Sequence, residues 1–300
     1  MIAKRKATKK ASRKVGASQL RKSSTHKPIK STAAPEDFIR TVPLHYPKPS
    51  VSVAQLAARP GESQGDVFDG KPRVAPVDAH LSYNGGPLLQ TVQVFLIFWG
   101  PKWQTVASAS PLVQQIKKFF GDILVSSLLD QLAEYSVPGK AIGHGSLTGS
   151  VIIPGGAPVG SVSDSAVKAQ LKKWIKAKTI PKQRPQTLYF VYLEPGIVSI
   201  MGGSKSCQNY CGYHNNTGPI YYAVMPYPSC AGCLGGLTTL DALTGTSSHE
   251  LCEAITDPIP GKGWYDAKNG EIGDICAWNF KTVAGHNVQM EWSNTNGRCL

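Results

Sequence analysis

The apolar residues of this chain gather in short unbroken runs separated by polar, glycine-rich stretches. Residues 91–99 (TVQVFLIFW), 188–193 (LYFVYL) and 220–225 (IYYAVM) are rich in β-branched and aromatic side chains. Runs of this length without alternation predict strands buried on both faces, the habit of a parallel sheet covered by helices. Residues 147–153 read as a further strand, and 288–292 alternate as a short terminal one. Helical spacing appears between them. Leu112, Ile116 and Phe119 mark a helix over 111–120, and Leu124, Leu128 and Leu132 mark another over 123–133. A Ser/Asp cluster opens a third over 163–175, apolar at Val167, Leu171, Trp174 and Ile175. Alternating strands and helices predict an α/β domain with a mixed sheet and packed helices, α+β being the other arrangement this order allows.

Charge then divides the chain. The net charge is +13 over 300 residues, yet eleven lysines and arginines with no acid fall within residues 1–31, leaving about +2 for the rest. Residues 1–35 lack large apolar side chains and predict a disordered basic tail, either a solvated leader or an arm for polyanions. Residues 36–75, punctuated by Pro and Gly, read as a linker, and residues 76–300 as a single domain. No apolar run reaches the ~20 residues of a membrane helix. No apolar stretch follows the basic start as a secretory signal would require.

The chemistry concentrates after residue 200. In the stretch Ser247-Ser-His-Glu-Leu-Cys-Glu-Ala-Ile-Thr-Asp-Pro258, Pro258 closes a helix whose start lies either at Ser247, with Glu250 at capping-box spacing, or earlier, near Leu237. His249 and Glu253 stand at i,i+4 and share a face, so an imidazole and a carboxylate can reach one cation. Glu250 holds the place of the general base in the His-Glu-x-x-His helix of zinc peptidases, but here the fifth residue is glutamate. A carboxylate in place of the second imidazole leaves zinc a weaker Lewis acid and opens the site to calcium or manganese. Downstream acids offer the third ligand. Asp274 is the expected one, with Glu271 and Asp266 as alternatives. His214 either lines the site or is a structural histidine, and His144 and His286 read as surface residues.

Several of these pieces resemble the plant phosphate-induced (EXORDIUM-like) family and its bacterial relatives. They are Tyr83-Asn-Gly-Gly-Pro-Leu-Leu89 with the following VFLIFWG strand, Cys207-Gln-Asn-Tyr-Cys-Gly-Tyr-His214, His249-Glu-Leu-Cys-Glu253 with Asp257-Pro258, Gly263-Trp-Tyr265, and Glu271-Ile-Gly-Asp-Ile-Cys276. The resemblance spans roughly residues 80–300. It implies a secreted or cell-surface protein with a zincin-like helix, acting on or binding a peptide or cell-wall ligand. On that footing the cysteine- and glycine-rich C-terminal half favours disulfides over a four-cysteine zinc knuckle of Cys207, Cys211, Cys230 and Cys233. A Cys252–Cys276 bridge would tie the helix to the acidic loop, and the odd count leaves a thiol over. Two functions follow. One is a metal-dependent, peptidase-like hydrolase with zinc on His249, Glu253 and Asp274 and Glu250 as base. The other is a non-catalytic extracellular binding or signalling protein with a structural metal site.

Overall fold

The computed structural model describes residues 41–45, 76 and 78–300. Its centre is a six-stranded mixed sheet of β1 (Thr41–Pro43), β2 (Gln93–Trp99), β3 (Ser146–Ile153), β4 (Thr187–Leu193), β5 (Tyr210–Thr217) and β6 (Ile220–Met225), in the spatial order β1-β5-β6-β4-β2-β3. Strands β6, β4, β2 and β3 run parallel, and β5 is antiparallel to both β6 and β1.

The unbroken apolar runs follow from this architecture. On one face Val94, Leu96, Phe98, Phe190 and Tyr192 pack against α1 (Ser110–Ile123) and α3 (Thr239–Thr256). On the other, Ile97, Trp99, Tyr189, Val191 and Val224 pack against α2 (Asp164–Lys176). Both faces are dry, so no position in the central strands can afford alternation. The class is α/β, as the pattern predicts.

Local chemistry moves some boundaries. The helix expected over 123–133 is broken, because Ser126 caps a new short helix (Ser127–Gln131) by accepting from the Leu128 N–H. Leu124, Leu128 and Leu132 are all buried regardless. The terminal strand expected over 288–292 divides into His286–Gln289, paired with Phe280–Val283, and Trp292–Ser293.

The range read as a linker contributes a strand. Val42 and Leu44 are buried against Cys211, Cys233 and Trp278, and Trp278 Nε1 donates to the Pro43 carbonyl at 2.8 Å. The alternation there is only two apolar residues long, and Pro43 masks it. A proline is tolerated because β1 lies at the sheet edge. The basic tail and the remainder of the expected linker lie outside the described residues.

Helix α3 positions the chemistry. It begins at Thr238, whose Oγ1 accepts from the Asp241 N–H at 3.1 Å, so Ser247 is an interior residue and the earlier start is the one adopted. Leu243, Leu251, Ala254 and Ile255 enter the core. The helix is nearly encased, lying against β5, β6 and the 280–289 hairpin. At its C-terminus the Asp257 carboxylate accepts from the backbone N–H groups of Gly261, Lys262 and Gly263, folding the chain back after Pro258.

Candidate metal centre

One turn of α3 carries His249, Glu250 and Glu253, all with no exposed surface. Two other segments close on that turn. Strand β5 brings His214, and the segment running into the turn at Asp274–Cys276 brings Glu271 and Asp274. Two groups result. Ligand atoms of His249, Glu253 and Asp274 lie within 4.8 Å of one another, as do those of His214, Glu253 and Glu271. The set expected from sequence is therefore brought together. Glu271, an alternative there, joins the second group, and His214 proves to belong to the cluster. Asp266 is elsewhere: its carboxylate accepts from the backbone of His80, Lys268 and Asn269 and closes its own turn.

His249 is held with little freedom. Its Nε2 stands 2.9 Å from Glu253 Oε1, and its Nδ1 is 2.8 Å from Gln289 Nε2. The Gln289 amide is oriented by backbone, since Nε2 also donates to the Gly273 carbonyl and Oε1 accepts from the Trp278 N–H. Nδ1 is thus an acceptor and the ring proton sits on Nε2. Ligation through Nε2 would move that proton to Nδ1 and require the Gln289 amide to turn over. His214 is engaged through both ring nitrogens. Its Nε2 faces the Asp257 carbonyl at 3.2 Å, which can only accept, so Nε2 carries the proton. Nδ1 faces Glu250 Oε2 at 3.1 Å and Glu253 Oε2 at 3.4 Å, which also can only accept, so Nδ1 donates to them. Burial opposes the charge, but Glu271, Glu250 and Glu253 hold His214 well above its usual range.

The electrostatics express crowding without water. Burial pushes Glu253 up, but His249 and His214 outweigh it and hold the group at about 2. Burial would lower His249, and Glu253, Glu250 and Asp274 instead lift it to about 10. Burial raises Glu250, with His214 opposing, and raises Glu271 well above the carboxylate range. Of ten buried side-chain atoms that make no well-formed hydrogen bond among the described residues, six lie in this centre: His249 Nε2, Glu250 Oε1, and both oxygens of Glu253 and of Glu271. His249 Nε2 and Glu253 Oε1 face each other as an ion pair, and the two oxygens of the nearby Glu291 are also among the ten. Buried carboxylate oxygens left this way are costly unless a cation meets them.

Gly273 lies directly against the His249 ring. A Cβ there would stand 2.7 Å from Nδ1 and 2.9 Å from Cε1, and the ring cannot retreat from the core. Gly273→Ala is expected to lower stability by about 1–3 kcal/mol, the usual cost of overpacking, and to weaken metal binding at least tenfold. A zinc competition titration beside a thermal melt checks this. Unchanged affinity would show that the ring position does not matter to the ion.

The cysteines correct one expectation. Cys207–Cys230, Cys211–Cys233 and Cys276–Cys299 form disulfides. Cys252 is a buried free thiol and does not pair with Cys276, because it faces Glu291 on the core side of α3 while the C-terminal strand reaches Cys276. The pairing of the first four as disulfides also removes the zinc-knuckle alternative. His144 and His286 each meet a carboxylate, Asp130 at 2.8 Å and Asp122 at 2.7 Å, away from the centre. Among the described residues no helix is long and apolar enough to cross a membrane.

No family model matches the chain, and neither a curated protein nor a solved structure does.

Proposed function

We propose that the chain is an exported, disulfide-bonded metal protein whose α3 centre holds a divalent ion as part of its fold. The observation that carries this is the set of six buried atoms without well-formed hydrogen bonds on four side chains of one centre. His249, Glu253 and Asp274 would hold the ion. Zinc suits a mixed imidazole and carboxylate set, and the surplus of oxygen donors also suits calcium or manganese. The ligands are 0–8% exposed, which favours a structural role, because structural sites are closed and catalytic ones keep an open position. On this reading the protein binds or signals outside the cell rather than turning over a substrate. Three disulfides support an oxidising compartment.

The resemblance to the phosphate-induced family goes forward on the same terms. Its quoted pieces are far apart in sequence yet contact one another or α3. Tyr83 pairs with Trp264, Gly86 N–H donates to the Lys262 carbonyl, His214 faces Glu250, and Gly273 abuts His249. That convergence supports reading them as one functional unit.

A hydrolase is the second reading, and one observation favours it. Glu250 belongs to neither ligand group, keeps Oε1 without a partner, and is raised by burial, the profile of a base beside a metal-bound water. Digestion of a peptide library by wild type and Glu250→Gln, with metal analysis alongside, separates the two. The structural reading expects no cleavage by metal-loaded wild type and unchanged metal content in the variant. A hydrolase would cleave, and Glu250→Gln would lose about 10²–10⁴ of the rate while keeping its metal.

A further inference from the structure

The two ligand groups at α3 share Glu253, and its carboxylate does not favour one of them. Oε1 stands 2.9 Å from His249 Nε2, and Oε2 stands 3.4 Å from His214 Nδ1. A carboxylate with each oxygen turned to a different imidazole has the disposition of a bridging ligand, and ions bridged in two-metal sites lie ~3.5–4 Å apart. We propose that the centre holds two divalent ions with Glu253 between them, one completed by His249 and Asp274 and the other by His214 and Glu271. The proposal rests on the metal-binding reading above and adds a second position to it.

The His214 side is the better prepared of the two. Its Nε2–H is anchored on the Asp257 carbonyl, the outer contact by which ligating imidazoles are commonly oriented. Its Nδ1, turned to Glu250 and Glu253, is the nitrogen that would exchange its proton for an ion. Glu271 is fully buried and neither of its oxygens takes a hydrogen bond among the described residues. Its Oε1 lies 3.5 Å from His214 Nε2, and an oxygen of Glu271 lies within 4.8 Å of the ligand atoms of His214 and Glu253. Nothing in the first ligand group needs Glu271, so its burial is unexplained by a single ion on His249.

Charge balance points the same way. Glu250, Glu253, Glu271 and Asp274 place four carboxylates, 0–8% exposed, around two buried imidazoles. With neutral imidazoles and these four carboxylates ionised, one divalent ion leaves a formal charge of −2 and two ions bring it to zero. With the buried Glu291 beside them counted as well the values are −3 and −1, so in either count the second ion removes two uncompensated charges. An uncompensated buried charge is among the costliest features a fold can carry. Asp257 does not enter this balance, because three backbone N–H groups already meet its carboxylate.

The test is native mass spectrometry of the full, oxidised chain titrated separately with Zn²⁺, Mn²⁺ and Ca²⁺, using wild type and Glu271→Gln. Two bound ions in wild type and one in Glu271→Gln are expected with at least one of the three metals. At most one ion in wild type, unchanged in the variant, would overturn the second position and leave the single-ion reading intact. Two ions in both proteins would overturn the assignment to Glu271. No ion from any of the three would bring down the metal-binding reading itself. Should Glu271→Gln fail to fold, electron paramagnetic resonance of Mn²⁺-loaded wild type decides alone. An exchange-coupled spectrum supports a bridged pair, and an isolated six-line signal excludes it.

Discussion

Glu253→Ala is expected to be the most damaging single change in the centre, abolishing metal binding and lowering stability by about 3–5 kcal/mol. Glu253 faces both imidazoles and belongs to both ligand groups, so no neighbour substitutes for it. Removing it strands His214 and His249 among the remaining acids and leaves a cavity that the encased α3 cannot fill by shifting. For a folding unit of this length the loss corresponds to a melting temperature lower by roughly 10 °C. Glu253→Gln keeps the volume but not the charge, and should lose the metal with a smaller fall in stability. Thermal melts of chelator-treated and metal-loaded samples separate the two contributions. Melting of Glu253→Ala within 2 °C of wild type (about the effect of 1 kcal/mol) would contradict the account.

Opening the disulfides is expected to have the next largest effect, with an internal contrast. Each bridge joins residues 22 or 23 apart, so each should contribute about 3 kcal/mol by restricting the unfolded chain. Cys207–Cys230 and Cys211–Cys233 fasten the short Ala231–Leu234 helix to β5 and the turn before it, and neither touches the turn that carries Asp274. Cys276 closes the turn that presents Asp274, and Cys299 holds it to the C-terminal strand. The paired substitution of Cys276 and Cys299 by serine should therefore lower both stability and metal affinity, whereas the Cys207 and Cys230 pair should lower stability alone. Zinc competition titrations of the two double variants check this. Equal affinities would mean that the Asp274 turn is held by packing and not by its bridge. Cys252, whose thiol burial pushes well up, should resist alkylation until the protein unfolds.

Much of this was legible in the chain because the strongest local signals were also the ones burial enforces. The runs at 91–99, 188–193 and 220–225 have one compact solution, a sheet covered on both faces, and the helices at Ser110–Ile123 and Asp164–Lys176 supply the cover. The His249 and Glu253 pair could be seen because four residues of helix place both on one face. Asp274 could be nominated because a turn with flanking Gly273 and Cys276 has few ways to fold back. His214 could not be weighted the same way. It sits in a strand 35 residues before His249, and its place beside Glu250 depends on how the antiparallel β5 lies against α3, which no local spacing encodes. The Cys252–Cys276 expectation failed for a related reason. The expectation rested on tying the helix to the acidic loop, but the residue that reaches Cys276 is Cys299. β1 was missed because two apolar residues around a proline are too weak a pattern until Trp278 and the Cys211–Cys233 bridge supply a surface to bury them.

The most direct test of the account is the metal content of the full chain purified without chelator, measured together with its melting temperature before and after chelation. The account predicts at least one equivalent of a divalent ion, a melt that falls by several degrees on chelation, and recovery when the metal is returned, since an ion that binds the native state adds its binding energy to folding. His249→Ala or Glu253→Gln should remove the difference between the two melts. Protein that carries no divalent ion after supplementation at neutral pH, and melts at the same temperature with and without chelator, would show that the cluster on α3 is a self-contained ion network and not a metal centre.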